Sequence, residues 1–406
     1  MKPAFRILLL TCAIAVFFIQ CDKEEPVINL NEPYFTIVDT AFFDALIYMG
    51  VDINNDRKIS SEEAENVTYL RVSNLGISDM TGVETFVNLD TLICFYNALT
   101  HLDVSSFRSL KYLHCGFNNI HQLDVSGNTA LESLGCGGNN LTTLDVSNNP
   151  LLTWLGCGDN QLTDLDISNN TALEGLGCGS NQISTLDVSK HYNLKSLSVG
   201  SNLLGTLDVS NNTALTDLQC GSNQLTSLDL TNNTSLYQLW CRSNQLSALD
   251  LSNNPMLVML YCEVNQITSL DVSDHPAIQF LFCSSNQLGD LNTSGCTGLI
   301  LLDCGDNLLT QLDLSDSPDL IQIHCDSNHL TILDLSMNTG LQDFNCSSNQ
   351  LTTLDISSNS ALDYIYLTDM TSLNEVCVWE IPFPPEGVQL DIQGSPNVYF
   401  TTECSR

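Results

Sequence analysis

The chain is poor in basic residues. Of its 406 residues, 12 are Lys or Arg and 47 are Asp or Glu, so the formal net charge is −35. Between Tyr112 and Ser405 the only basic side chains are Lys190, Lys195 and Arg242. Binding to nucleic acid needs a cationic surface that displaces counterions from phosphates. The composition therefore excludes nucleic acid as a partner and disfavours direct binding to an anionic membrane surface.

Catalytic motifs are also missing. The seven histidines are scattered along the chain, and there is no His-Glu-x-x-His motif, nucleophile elbow or phosphate-binding loop. The nearest acid–base grouping is Asp303, His324 and Asp326, and we do not interpret it as a catalytic set. The sequence therefore predicts a protein that is not an enzyme.

Long apolar runs are confined to the N-terminus. Lys2 and Arg6 flank the start of an apolar run over residues 7–19, which is short for a membrane span but typical of an export signal. The run ends before Cys21, as in the lipobox of bacterial lipoproteins, although Gln20 stands where a small residue is usual. We therefore predict a lipoprotein signal peptide over 1–20, lipidation of Cys21 and a flexible tether over 21–33.

The residues that follow Cys21 bear on localisation. The sequence Asp-Lys-Glu-Glu at 22–25 resembles the short acidic signal that directs some lipoproteins to the outer face of the outer membrane. We expect an exported protein at the cell surface whose only membrane contact is its lipid. The alternative is cleavage nearby, which would release a soluble protein.

A 21-residue period runs through most of the chain. Three residues after each position of a cysteine column stands an asparagine, without exception from Asn97 to Asn349. Val199 fills the one position of the column that lacks cysteine. The cysteines of the column are Cys94, Cys115, Cys136, Cys157, Cys178, Cys220, Cys241, Cys262, Cys283, Cys304, Cys325 and Cys346.

Each unit predicts one coil of a solenoid. Leu134 and Cys136 alternate with outward residues, as in a short strand, and Leu141, Leu144 and Val146 return inward on the other wall. A single coil cannot bury enough apolar surface to fold alone, so neighbouring coils must stack and pair their strands in parallel.

The units resemble the cysteine-ladder leucine-rich repeats of the internalin J group and related repeats of bacterial surface lipoproteins. The resemblance covers residues from about 35 to 406. It implies a β-rich, curved leucine-rich-repeat solenoid with a parallel β-sheet on its concave face, and a surface-exposed, adhesin-like binding role. It does not identify a ligand, because internalins differ in the exposed residues that select partners.

The asparagine, cysteine and aspartate columns are each predicted to have a structural role. The asparagine amides can satisfy backbone groups where the chain leaves the strand. The cysteine column is interpreted as apolar packing rather than as disulfides or a metal site, because Val199 occupies the same position. An aspartate column from Asp103 to Asp355, with Asn292 at one position, is expected to bond backbone N–H groups at Asp-x-Ser turns; cations along the column are the alternative.

Residues 34–67 are predicted to form an N-terminal cap. The apolar spacing around Phe42 and Leu46 indicates a short helix. The loop that follows matches an EF-hand or dockerin calcium loop, except that Arg57 replaces the usual glycine. We predict that it binds Ca²⁺; the alternative is a polar capping loop without metal. The predicted metal site comprises Asp52, Asn54, Asp56, Lys58, Ser60 and Glu63.

The repeat is expected over residues 68–370 and a C-terminal cap over 371–406. The repeat degenerates at Leu367 and Met370. Cys377 and Cys404 lie outside the cysteine column, and an exported protein can join them in a disulfide. Cys296 also lies outside the column and is predicted to be a free thiol in a loop.

Aromatic residues on the exposed side of the predicted strands indicate a binding surface. Trp240, Tyr261 and Phe282 occupy equivalent positions in three successive coils. Exposed aromatics in register are typical interaction anchors, although cover by other segments is the alternative. The predicted ligand-binding residues are Trp240, Arg242, Met259, Tyr261, Glu263, Phe280, Phe282, Asp303 and His324. A smaller N-terminal set contains Phe95, Tyr96, Tyr112, His114 and Phe117.

These features predict a monomeric binding protein. Its expected partner is an extracellular protein or a glycan, since aromatic side chains beside acidic and amide groups suit both. A structural or spacer protein without a specific ligand is the second hypothesis. A spacer does not need the aromatic residues, so substituting them separates the two.

Overall fold

The computed structural model describes residues 34–404, and the predicted signal peptide, Cys21 and the tether up to residue 33 lie outside this range. Two helices, α1 (Thr40–Tyr48) and α2 (Ser61–Glu65), precede a long series of three-residue strands. The strands are β1 (Tyr69–Arg71), β2 (Thr91–Ile93), β3 (Tyr112–His114), β4 (Ser133–Gly135), β5 (Trp154–Gly156), β6 (Gly175–Gly177), β7 (Ser196–Ser198), β8 (Asp217–Gln219), β9 (Gln238–Trp240), β10 (Met259–Tyr261), β11 (Ser269–Asp271), β12 (Phe280–Phe282), β13 (Asp290–Asn292), β14 (Leu301–Asp303), β15 (Gln322–His324), β16 (Asp343–Asn345), β17 (Thr353–Asp355), β18 (Tyr364–Tyr366), β19 (Glu375–Cys377), β20 (Gln389–Asp391) and β21 (Tyr399–Thr401).

The strands form a parallel solenoid, as the sequence predicts. One sheet contains sixteen strands in the order β1 to β10, β12, β14, β15, β16, β18 and β20. Smaller sheets of two and three strands, β11–β13 and β17–β19–β21, lie on other parts of the coils. The sixteenth strand of the large sheet falls within the segment predicted as the C-terminal cap, so part of that segment adds a further coil.

The 21-residue period sets the register of the large sheet. Leu134 pairs with Leu113 on one side and with Leu155 on the other, and all three side chains are buried. Because the period equals one turn of the solenoid, every inward residue meets its equivalent in the next coil. The cysteine column, including Val199, is fully buried in this way, which supports its role in apolar packing.

The asparagines three residues after the cysteine column form the strand-end asparagine column (Asn97 to Asn349). The Asn181 amide nitrogen donates to the carbonyls of Cys157 and Cys178 at 3.1 and 3.0 Å. Its side-chain oxygen accepts from the backbone N–H of Leu162 at 2.9 Å. Each asparagine therefore satisfies groups from successive coils where the strand ends, which confirms the predicted structural role.

A second buried column is not evident from the sequence. We call it the loop asparagine column, and its Asn149 amide donates to the carbonyls of Val125 and Asn128 at 3.0 and 2.9 Å. Cys296, predicted as a loop thiol, belongs to this column and is fully buried, with its Sγ 3.0 Å from the carbonyl of Val272. The column comprises Asn128, Asn149, Asn170, His191, Asn212, Asn233, Asn254, His275, Cys296, Ser317, Asn338 and Asn359.

The aspartate column bonds local backbone groups, as predicted. The Asp229 carboxylate accepts from the Thr231 hydroxyl at 2.6 Å and from the Thr231 backbone N–H at 2.9 Å. These two hydrogen bonds lower the pKa of Asp229. Asn292 accepts from the backbone N–H of Ser294 in the same way without a charge.

The N-terminal residues cover the first coil. Asp39 begins α1 by accepting from the Phe42 backbone N–H at 3.0 Å, and its other oxygen accepts from the Ser78 backbone N–H at 2.8 Å. Phe42 and Leu46 on α1 are fully buried in the same core as the coils. Within residues 34–404 no helix is long and apolar enough to cross a membrane.

Candidate ligand-binding site

The exposed side of the sixteen-stranded sheet is here called the strand face. In most of its strands the middle residue is buried while its two neighbours are partly exposed, as in Gln238–Trp240. Within the described part of the chain, the only helices or strands that contact β9, β10 and β12 are their neighbours in the sheet. No other element therefore covers the surface on which the predicted ligand-binding residues lie.

Trp240, Tyr261 and Phe282 form one aromatic column across β9, β10 and β12. They are direct partners in the parallel register, with ring centroids 4.9 and 4.5 Å apart. Tyr261 and Phe282 are stacked at an interplanar angle of 11°. Tyr261 therefore has a neighbouring ring on each side along the sheet.

Met259 and Phe280 extend this apolar surface. They pair in register at the other outward position of β10 and β12, and both are half-buried. The structure thus brings all five apolar residues of the predicted site together on three adjacent strands.

Charged residues border the aromatic column. Arg242 Nη1 lies 3.7 Å from Glu263 Oε1. Burial raises the pKa of Glu263, and the hydrogen bond to its own backbone and the charge of Arg242 offset this effect only in part. A carboxylate held partly out of water in this way is stabilised by any additional cation that approaches it.

Further carboxylates continue the border. Asp303 pairs in register with Phe282 on one side and with His324 on the other, and it accepts from the Ser284 hydroxyl at 3.2 Å. His324 Nε2 lies 3.5 Å from Asp343 Oδ1. Burial also raises the pKa of Asp326, and the nearby negative charge of Asp303 raises it further. The C-terminal half of the strand face therefore combines an apolar column with an excess of negative charge.

Three aromatic side chains on the N-terminal half of the strand face are more exposed than the aromatic column. Tyr96, Phe117 and Trp154 are 52, 50 and 44% exposed, whereas Trp240, Tyr261 and Phe282 are half-buried. Trp154 was not among the predicted ligand-binding residues. The sequence feature that predicts its exposure is glycine at the neighbouring outward positions, Gly135, Gly156 and Gly175. These glycines leave the Trp154 ring uncovered.

The cysteine column is chemically inert in this fold. Burial raises the pKa of Cys220 to about 12, so its thiol stays protonated in neutral solution. Within residues 34–404, thirteen cysteines are free and all of them are buried. They contribute packing and are not available as ligands or nucleophiles.

Comparison with solved structures identifies the family of the chain. The functional domain of InlJ from Listeria monocytogenes, which includes a cysteine ladder, is 35% identical, with a TM-score of 0.76; the alignment covers 83% of this chain and 75% of that one. The chain belongs to the internalin J family of cysteine-ladder leucine-rich-repeat proteins. No protein-family model and no curated protein matches the sequence.

More distant relatives of this internalin J-type chain share only its fold. An internalin, InlF, from Listeria monocytogenes is 22% identical with a TM-score of 0.64, over 83% of this chain and 94% of that one. The plant peptide hormone receptor RGFR1 in complex with RGF2 is 18% identical with a TM-score of 0.66, over 84% and 64%.

The cap loop of this internalin J-type chain holds its shape by its own hydrogen bonds. The Asp52 carboxylate accepts from the Asp56 and Arg57 backbone N–H groups at 3.1 and 2.9 Å. Arg57 has a φ of 59°, the left-handed conformation for which glycine is usual at this position. Glu63 accepts from the backbone N–H groups of Ile53 and Ser60, both at 2.9 Å, and Ser60 caps α2.

The carboxylates of the cap loop do not converge on one point. Within residues 34–404, the only three His, Cys, Asp or Glu side chains with ligand atoms all within 4.8 Å of one another are Asp355, Cys377 and Cys404. The two cysteines of that group are joined in a disulfide, with Cα atoms 5.4 Å apart, so they are not metal ligands. Calcium in the cap loop stays a prediction.

Proposed function

We propose that this chain is an exported, lipid-anchored surface protein that binds an extracellular protein through the C-terminal half of its strand face. The observation that carries this proposal is the aromatic column, which lies beside carboxylates on a rigid sheet with no other helix or strand over it. Partly exposed aromatic side chains in register are typical anchors of protein interfaces. Their presence favours a binding protein over a spacer, and the role is adhesin-like rather than enzymatic.

The charge of this surface indicates the kind of partner. Glu263, Asp303, Asp326 and Asp343 outnumber the single cation Arg242 around the aromatic column. A partner with apolar residues inside a basic patch complements both the aromatic column and the carboxylates around it. Long-range attraction to the net charge of −35 also increases its association rate. The relatives support the protein class of the ligand, since RGFR1 is a receptor for a peptide hormone.

The proposal is tested by measuring the binding of this protein to a panel of purified extracellular proteins. The panel spans acidic to basic isoelectric points. The variant is Trp240→Ala/Tyr261→Ala/Phe282→Ala, and Tyr192→Ala, which removes an aromatic ring 63% exposed outside the strands, is the matched control. We expect basic proteins to bind and the triple variant alone to lose at least about tenfold in affinity. Equal binding by the triple variant and the wild type would place the interface elsewhere.

Lipid anchoring is tested separately. We expect Cys21→Ser to move the protein from the membrane fraction to the soluble fraction, because one thioether-linked lipid group is the proposed attachment. Retention of the Cys21→Ser variant in the membrane fraction would contradict the proposed anchor without affecting the binding proposal.

A further inference from the structure

A separate aromatic pocket lies on the N-terminal half of the strand face. It is an open cavity of about 350 Å³. Its walls are aromatic side chains from β3, β5 and the segments that follow β2 and β3, and its floor is glycine. The wall residues are Phe95, Tyr96, His114, Phe117 and Trp154, and none of them belongs to the aromatic column.

The Trp154 indole lies flat on the sheet because its neighbours are glycines. A Cβ atom added at Gly175 would lie 2.8 Å from the indole Cδ1, and one added at Gly135 would lie 3.3 Å from Cζ3. A Cβ atom at Gly156 would collide with the far end of the ring. Three glycines on β4, β5 and β6 thus permit this position, which leaves the outer face of the indole in solvent.

The opposite wall is a stacked pair of rings. The Tyr96 and Phe117 centroids are 4.4 Å apart at an interplanar angle of 10°. Between the two walls, the His114 ring lies 5.7 Å from Trp154, and its Nε2 is 3.1 Å from the Ser133 hydroxyl. The pocket is therefore built from rings of fixed orientation and does not need to close around a ligand.

The strands around the pocket are poor in charged residues. The strands β2 to β7 contain no Asp, Glu, Lys or Arg, although the chain has 47 acidic residues. Asp159 is the only acidic residue that lines the pocket. The pocket is thus suited to a neutral ligand, in contrast to the acidic surroundings of the aromatic column.

A shallow trough continues from the pocket along the sheet. It has a volume of about 350 Å³, shares Gly158 and Asp159 with the pocket, and ends at Trp240 and Arg242. Trp154 and Trp240 are four strands apart, which corresponds to roughly 19 Å at about 4.8 Å per strand. The hydroxyl and amide groups that line the trough are those of Ser180, Ser198, Ser201, Gln219 and Ser222.

We propose that the pocket and trough bind a neutral oligosaccharide, with one sugar ring on the exposed face of Trp154. A flat ring platform beside uncharged hydroxyl and amide groups matches the C–H faces and hydroxyl groups of such a ligand. An extended peptide is less suited, because the strand backbones already pair with one another and offer it no ladder of hydrogen bonds. This inference does not depend on the proposed protein partner.

The test titrates the full chain with linear tetra- to hexasaccharides of glucose, mannose, galactose and N-acetylglucosamine, and with their sulfated forms. Binding is followed by calorimetry. Trp154→Ala removes the platform, and Gly156→Val keeps the indole but fills the space that it occupies. Gly156 pairs in register with Gly177, and Gly177 pairs with Ser198. A side chain at this position of the sheet is therefore compatible with the fold. Tyr192→Ala again serves as the control.

We expect at least one neutral oligosaccharide to bind, its sulfated form to bind more weakly, and Trp154→Ala and Gly156→Val each to lose about tenfold or more in affinity. Melting temperatures equal to that of the wild type would show that both variants fold. The proposal is overturned if no neutral oligosaccharide binds, if sulfation strengthens binding, or if Trp154→Ala binds as tightly as the wild type. Loss of a protein ligand in Trp154→Ala without any sugar binding would also overturn it. The protein-binding assay with the triple variant can fail or succeed independently of these outcomes.

Discussion

At the residue scale, the two asparagine columns differ in which hydrogen bonds they need. In the strand-end column, Asn244 donates to the carbonyls of Cys220 and Cys241 and accepts from the Leu225 N–H. In the loop column, Asn254 donates to two carbonyls, but its own side-chain oxygen is buried without a partner. The loop column therefore requires only a donor, which explains why histidine, cysteine and serine replace asparagine there.

This difference predicts unequal costs for the same substitution within one coil. Asn244→Ser should lower the free energy of unfolding by about 1–3 kcal/mol, because it leaves buried backbone groups unpaired. Asn254→Ser should cost less, because Ser317 fills an equivalent position and its hydroxyl donates to the Cys296 carbonyl at 3.2 Å. Urea denaturation of both variants measures the difference, and a larger cost for Asn254→Ser would contradict this account.

The residue composition of the two columns explains why only one of them is predictable from the sequence. The strand-end column is uniform from Asn97 to Asn349 and was recognised from spacing alone. The loop column contains four residue types, so its 21-residue spacing is not evident in the sequence, and Cys296 is predicted there as an isolated thiol. Residues that share a hydrogen-bonding role without sharing a name can be grouped only once the coils are stacked.

At the element scale, the turns of the aspartate column predict how stability depends on pH. Hydrogen bonds from the hydroxyl and backbone N–H of Ser147 lower the pKa of Asp145, and the charges of Asp124 and Asp166 raise it by less. A folded pKa below the unfolded value of about 3.9 contributes stability that is fully present above that value and is lost as the pH falls through the folded pKa.

We therefore expect the free energy of unfolding to decrease as the pH falls below about 4, through the sum of many small contributions. Chemical denaturation between pH 2 and 6 measures this dependence. Asp145→Asn is the control, because Asn292 shows that an amide can form the same turn, and it should lessen the pH dependence. Stability that increases as the pH falls through this range would show that repulsion within the column dominates.

The cap loop carries a prediction about calcium. Ca²⁺ that binds only the folded loop should increase its stability, by about 2.7 kcal/mol at a concentration 100 times the dissociation constant. Thermal unfolding in calcium and in chelator measures the effect, and Asp52→Asn should abolish it. Identical melting curves would identify the loop as a polar cap, as its own hydrogen bonds to Asp52 and Glu63 permit.

At the scale of the whole molecule, the repeat made the fold predictable from the sequence. A period of 21 residues places equivalent side chains above one another, so the pairing of β9, β10 and β12 and the alignment of the aromatic column follow directly. Ring orientation does not follow from spacing. Only the structure places Tyr261 between two other rings while Trp154, over glycines, keeps an open face.

The strand face therefore has two halves with different chemistry. In the N-terminal half, strands β2 to β7 contain no Asp, Glu, Lys or Arg, and Trp154 has an open ring face. The C-terminal half is acidic and carries the aromatic column. Both halves lie on one rigid sheet, so ligands of different classes can be held in a fixed relative position. We therefore expect ligand binding to occur on this face.

An alanine scan of the protein, read out as affinity for a bound ligand, locates the binding surface. It covers the outward residues of the sixteen strands and, for comparison, the exposed loop residues Tyr192, Ile332 and Met337. We predict that every substitution that lowers affinity about tenfold or more lies on the strand face, and that the losses cluster at Trp154 or at the aromatic column. Losses that cluster at the loop residues, with the strand face unaffected, would contradict the account.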